Sequence, residues 1–296
     1  MRSLRPLAVS IVAVALVAVS CSSGAASGGQ IHVVASFYPL AWATQQVGGA
    51  RVNVEDLTPP GVEAHDTTLS AGQRANLQTA DVVVILGRFG FQPDVERATN
   101  EASGVVVAVA DSLPLAPSQE ADLGFDPHVW LDPVLMQRIV HQIADALVRA
   151  DPGGTDGYRA RERATTDELA SLDVRYRSGL AGCAFSEFVT THEAFGYLAA
   201  EYGLTQLGVE GLTPQSEPSA ARIQAAIQAI QSGAAAPAVF YEGTDEGRRV
   251  GESVAQDAGV TSYPLGTLES DPAPGGYMSV MQANLDVLTR GLSCGS

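Results

Sequence analysis

Five histidines are the side chains of this sequence best suited to coordination chemistry, and three of them share a setting. His65 lies in the loop Pro59-Pro60-Gly61-Val62-Glu63-Ala64-His65-Asp66, after a predicted strand. His128 lies in Asp126-Pro127-His128-Val129-Trp130-Leu131-Asp132-Pro133, just before a predicted helix. His192 follows a predicted strand and opens a predicted helix. Each falls where loops converge at the mouth of a sheet. They stand 63 and 64 residues apart, so no local zinc-finger spacing exists, and a shared site has to be assembled by tertiary structure. Three imidazoles suit Zn2+, which takes nitrogen and sulfur donors in a tetrahedral shell. Mn2+ favours more carboxylate. By position alone, three ordinary loop histidines are an equally good reading. His32, inside a strand, and His141, inside an amphipathic helix, read as packed or surface residues. Asp66 and Glu193 adjoin the loop histidines and either orient an imidazole or cap a helix or face solvent. Glu242 ends a strand near the same cleft, and Trp130 reads as core.

The elements that must position these residues alternate. Strands are predicted at 31–36, 52–57, 82–86 and 105–110, with helices at 40–47, 71–79, 92–100 and 133–150. The run Val82-Val83-Val84-Ile85-Leu86 is apolar throughout, as suits a parallel sheet covered on both faces. Asp151-Pro152-Gly153-Gly154 breaks the chain. Residues 156–180 are crowded with charge and carry few apolar positions (Tyr158, Leu169, Leu172, Tyr176), a helix better suited to bridging two lobes than to filling one core. The alternation then restarts, with strands at 188–191, 206–209, 238–241 and 261–264 and helices at 193–202, 219–232, 245–258 and 277–292. The fold class is α/β: two parallel-sheet lobes, residues 30–154 and 181–296, joined by a rigid helix over 155–180. Ligands of open α/β sheets bind beyond the carboxyl ends of the strands, so the cleft between lobes is the expected site.

Composition narrows the classes. Hydrophobic residues make up 46% of the chain, enough for a substantial core. Thirty-three acidic residues against 17 basic ones give a formal charge of −16. Nucleic acid is a poor partner for such a surface, whereas cations are not repelled. Every basic residue is arginine. Arg2 and Arg5 precede an apolar run from Leu7 to Val19, too short to span a bilayer and typical of a secretory signal. Cys21 follows Ala18-Val19-Ser20 and precedes a Ser/Gly tether, as at a bacterial lipoprotein processing site. Residues 1–29 are therefore assigned to signal and tether, with Cys21 as the lipidation site; a plain cleaved signal is the alternative. With Cys21 lipidated, Cys183 and Cys294 remain, and outside the cytosol an even remainder points to a disulfide between them.

Five stretches make the sequence resemble the zinc and manganese solute-binding proteins of bacterial ABC transporters. They are Val33-Val34-Ala35-Ser36-Phe37-Tyr38-Pro39-Leu40, the segments around His65 and His128, Thr191-His192-Glu193-Ala194-Phe195-Gly196-Tyr197-Leu198, and Gly211-Leu212-Thr213-Pro214-Gln215-Ser216-Glu217-Pro218-Ser219. The terminal Tyr277-Met278-Ser279-Val280-Met281-Gln282-Ala283-Asn284-Leu285 also fits. The resemblance implies metal held between two lobes, with His65, His128 and His192 as ligands. A histidine at the third position implies Zn2+ over Mn2+, one ion per chain. For the fourth ligand it leaves Glu269, water or Asp271 open, since strict alignment places Thr267 there. It implies capture outside the cytoplasm, on the outer face of the membrane or in the periplasm. Delivery would be to a membrane permease and ATPase by a monomeric protein. The histidine-rich loop of some zinc members is absent; only Glu120 and Asp122 mark that region. A zinc hydrolase is the rival class, because three histidines and a water also make a catalytic site. It would need a placed general base, and no His-Glu-x-x-His helix is present. An added adhesive role shares the fold and stays open.

Overall fold

A computed structural model describes residues 29–118, 123–212, 218–272 and 275–295. The signal, Cys21, Glu120, Asp122 and residues 213–217 lie outside the described residues. The first sheet holds β1 (Ile31–Ala35), β2 (Val52–Asp56), β3 (Val82–Ile85) and β4 (Val105–Ala108), all parallel, in the order β2-β1-β3-β4. The second holds β5 (Glu187–Thr190), β6 (Thr205–Gly208), β7 (Ala238–Tyr241) and β8 (Thr261–Pro264), also parallel, in the matching order β6-β5-β7-β8. The all-apolar β3 has the expected cause. Val82 and Val84 enter one apolar cluster while Val83 and Ile85 enter another on the opposite face, the two-residue alternation of a strand buried on both sides.

Nine α-helices of the described residues cover the sheets: α1 (Tyr38–Gly48), α2 (Ala71–Thr79), α3 (Pro93–Ala98), α4 (Pro133–Ala150), α5 (Thr155–Leu180), α6 (Gly196–Glu201), α7 (Ala220–Ser232), α8 (Asp245–Ala258) and α9 (Gly276–Gly291). α4 starts sharply because Asp132 accepts the amide of Val134 and proline occupies the first turn, which fixes the exit of the His128 loop. One expectation is corrected. No helix starts at His192; α6 begins only at Gly196. The segment is tied to β6 and the loop after it instead: the His192 carbonyl accepts the Gln206 side-chain amide at 3.0 Å, and the Glu193 N–H donates to the Gly211 carbonyl at 3.0 Å.

α5 runs for 26 residues. Its buried positions, Tyr158, Glu162, Thr165, Leu169, Leu172, Tyr176 and Leu180, recur every three or four residues, one continuous stripe. That stripe packs on α1 and α4 of the first lobe and on α9 of the second. Near its end the Tyr176 hydroxyl donates to the Met281 carbonyl at 2.7 Å. The lobes also touch directly. Trp130, fully buried, donates its indole N–H to the Thr267 carbonyl at 2.8 Å, and the Tyr277 hydroxyl donates to the Trp130 carbonyl at 2.6 Å. Cys183 and Cys294 are disulfide-bonded in the structure. No helix among the described residues is long and apolar enough to cross a membrane.

Candidate metal centre

Four side chains meet between the lobes, two from each. His65 lies in a short 3-10 turn (Ala64–Asp66) beyond β2, and His128 beyond β4. His192 lies beyond β5 and Glu269 beyond β8. All four sit past carboxyl ends of parallel strands, where such sheets offer their loops to ligands. One donor atom from each lies within 4.8 Å of every other. The four side chains are at most 5% exposed.

Each imidazole is held differently. The His128 Nδ1 meets the Asp126 carboxylate at 2.8 Å, and the same carboxylate oxygen accepts the His128 amide at 3.0 Å. This second contact fixes the ring and turns its Nε2 inward. His65 packs edge-on to Phe91, with ring centroids 4.5 Å apart. The peptide before it is pinned on both sides. The Ala64 N–H donates to Glu269 Oε2 at 3.2 Å, and the Ala64 carbonyl accepts the buried Gln92 side-chain amide at 3.1 Å. Gln92 also donates to the Ser36 carbonyl at 3.1 Å, tying the His65 loop to the end of β1. His192 places Nδ1 3.3 Å from Glu242 and donates from Nε2 to the Leu212 carbonyl at 3.1 Å.

Glu269 Oε1 lies 3.6 Å from His65 Nε2 and 3.5 Å from His128 Nε2. All three atoms are buried with no hydrogen-bond partner among the described residues. Buried polar atoms left unpaired are costly. Donors about 2.0–2.1 Å from one tetrahedral ion lie roughly 3.3–3.4 Å apart, close to the spacing seen. The donor set therefore fits a four-coordinate dication of three nitrogens and one oxygen.

The electrostatics are those of a site built around positive charge. Burial alone would depress the His192 pKa, but Glu242 and Glu269 outweigh it and raise the value to about 10. Burial is likewise outweighed at His128, raised by Asp126 and Glu269. Burial pushes Glu269 up, yet His65 and His128 hold it well below the usual carboxylate range.

The other sequence candidates fall elsewhere. Asp271 is exposed. The Thr267 hydroxyl donates to Glu242 at 2.5 Å, not toward the histidines. Asp66 is exposed, and Glu193 pairs with Arg222 at 3.2 Å. His32 faces Glu55 at 3.5 Å, and His141 meets Glu162 at 2.5 Å; neither joins the cluster. Sequence reasoning missed Asp126, although it stands only two residues before His128, and it missed Gln92, which no local signal marks. Replacing Gln92 with leucine removes the anchor of the His65 loop. The expected result is a loss of metal affinity of about ten- to a hundredfold, measured by chelator competition.

The sequence matches the family described as "Zinc-uptake complex component A periplasmic" (ZnuA) over residues 33–291. It is 33% identical over 295 residues to the zinc-binding lipoprotein AdcA of Streptococcus pneumoniae strain R6, covering 93% of this chain and 58% of that one. The chain thus spans little more than half of AdcA. It is 32% identical over 289 residues to the high-affinity zinc uptake system protein ZnuA of Bacillus subtilis, covering 91% and 90%. The crystal structure of the Zn(II)-bound ZnuA-like domain of the pneumococcal AdcA superposes with a TM-score of 0.77 at 32% identity, over 89% of this chain and 99% of that domain. Two parallel lobes, the long helix between them and the sequence match across nearly the whole described chain lead to one assignment: the chain belongs to the ZnuA family, the periplasmic component A of zinc-uptake complexes.

Proposed function

We propose that the chain captures Zn2+ outside the cytoplasm and delivers it to the membrane permease and ATPase of an ABC importer. His65, His128, His192 and Glu269 are the ligands in this reading. One observation carries it: Nε2 of His65, Nε2 of His128 and Oε1 of Glu269 are buried, unpaired and spaced as donors to a single ion. Three nitrogens and one oxygen in a small buried shell favour Zn2+ over Mn2+, which takes more oxygen donors. The ion is cargo, so His192 exchanges its bond to Leu212 for the metal on loading and regains it on release. Lobes 30–154 and 181–296, linked by 155–180, act as a monomeric carrier. A lipid on Cys21 holds it at the outer face of the membrane. Membership of a zinc-uptake family favours capture over hydrolysis.

Titration of the mature protein is expected to show one Zn2+ per chain. At free zinc a hundredfold above Kd, the gain in stability is about 2.7 kcal/mol, read as a rise in Tm. Absence of both the rise and any calorimetric binding overturns the assignment.

A further inference from the structure

Carboxylates line the cavity that borders the buried histidine cluster at Glu269. A cavity of about 640 Å³ opens between the lobes, and its lining includes Glu63, Glu242, Glu269 and Asp245. Neither a histidine nor a basic residue lines it among the described residues. The three site histidines are absent from this lining, and their side chains are 5%, 0% and 1% exposed. A cation entering from this side therefore meets oxygen before nitrogen.

Three of those carboxylates form a donor set of their own. One oxygen each from Glu63, Glu242 and Glu269 lies within 4.8 Å of the others. Glu269 belongs to both sets, and it is 3% exposed with Oε1 lacking any hydrogen-bond partner among the described residues. Glu63 Oε2 is likewise buried and unpaired. Glu242 is braced by the Thr267 hydroxyl on one oxygen and by His192 on the other. Oxygen donors hold a dication that still keeps some of its water, whereas imidazoles displace that water into a closed tetrahedron. A negatively lined cleft in a chain of net charge −16 also concentrates cations at its mouth.

We propose that Glu63, Glu242 and Glu269 form an oxygen-donor transit site for the incoming and outgoing ion. Glu269 stays bound while Glu63 and Glu242 are exchanged for His65, His128 and His192. No bond to carbon is made or broken; the step is ligand substitution, with the last waters leaving as imidazole nitrogens arrive. This inference rests on the assignment of zinc capture above. It assigns Glu63 a kinetic role and no place in the resting shell.

Stopped-flow mixing of the full mature chain with Zn2+, followed by removal into excess chelator, tests it. Glu63→Gln, which takes one carboxylate donor out of the set, is expected to slow both association and removal by about tenfold. Kd then stays within about threefold, because the resting ligands are untouched. Unchanged rates overturn the transit site while leaving zinc capture intact. A weaker Kd with an unchanged association rate also overturns it, since Glu63 would then belong to the resting site. Wild-type protein that fails to bind Zn2+ overturns the assignment of capture itself. If Glu63→Gln does not fold, the wild-type association rate decides the matter. It is expected to fall steeply with added salt, and a salt-independent rate overturns the proposal.

Discussion

The His128→Ala variant is expected to bind Zn2+ about 10²–10³-fold more weakly than the parent chain, because an apparent site energy of about 10–16 kcal/mol shared among four donors assigns roughly 2.5–4 kcal/mol to each. His128 is the most completely buried of the four proposed ligands, at 0% exposure, and the only one whose ring is aimed by a carboxylate two residues away. Water entering the vacated space supplies one oxygen donor but lacks the Asp126 contact that sets the direction. The variant keeps the fold-bearing neighbours, since Asp126 still accepts the backbone amide of residue 128 and Trp130 still donates to Thr267. Chelator competition measures the loss, and the zinc-induced rise in Tm shrinks with it. His141→Ala, at a ring 61% exposed and outside the cluster, is the control and leaves Kd unchanged. Retention of affinity within about threefold in His128→Ala contradicts the proposed ligand set.

Much of this architecture was legible because it is periodic. The strands at 238–241 and 261–264 and the helices at 133–150 and 245–258 lie where the apolar pattern put them. Sequence position puts the three histidines in loops but leaves ordinary loop histidines an equal reading, and it leaves open the residue that meets them from beyond β8. Beyond β8 the chain is irregular, and Leu268 adopts φ 60°, a left-handed conformation rare for a branched side chain. That local twist lies immediately before Glu269, whose carboxylate reaches the histidines while Asp271 is exposed. No hydropathy pattern announces a leucine at positive φ, so sequence leaves Glu269 and water level, Asp271 behind them, and strict alignment on Thr267. Gln92 was hidden for a different reason. Its partners, Ser36 and Ala64, are 56 and 28 residues away in the chain, and only the sheet order brings them together.

The same geometry gives Glu269 two tasks. Its Oε2 accepts an amide from the opposite lobe at Ala64, and its Oε1 faces the two histidines of that lobe. Metal and interlobe contact therefore share one carboxylate. The Trp130–Thr267 hydrogen bond lies two residues from it in sequence, so movement of the 265–271 loop is coupled to the packed centre of the molecule. In the proposed ligand set, an ion bound at Oε1 adds a second tie between this loop and the opposite lobe, beside the Ala64 amide.

Zinc affinity is expected to fall by about tenfold per pH unit or more as acid is added across neutrality, because protons compete for the nitrogens that must ligate and each proton displaced contributes about tenfold per unit. One proton is counted, on His192. His192 donates to the Leu212 carbonyl and faces Glu242 on its other side, the pattern of a doubly protonated ring, and its value is raised to about 10. His128 is raised as well, by Asp126 and Glu269 against the effect of burial. Glu269, held low, stays ionised and adds no proton. Calorimetry in buffers of different ionisation heat counts the protons released on binding. The metal-free protein slopes the other way. A histidine raised from 6.5 contributes stability that is fully present below that value and is lost as the pH rises through about 10. Raising the pH through the neutral and alkaline range thus weakens the empty carrier while strengthening its grip on zinc, so the gap in Tm between loaded and empty forms widens. A gap that narrows with rising pH contradicts both the proton count and the assignment of His192 as a ligand. The widening has a functional sense: a proton on His192, favoured by Glu242 and Glu269, occupies the place of positive charge in the metal-free site, and zinc binds by displacing it.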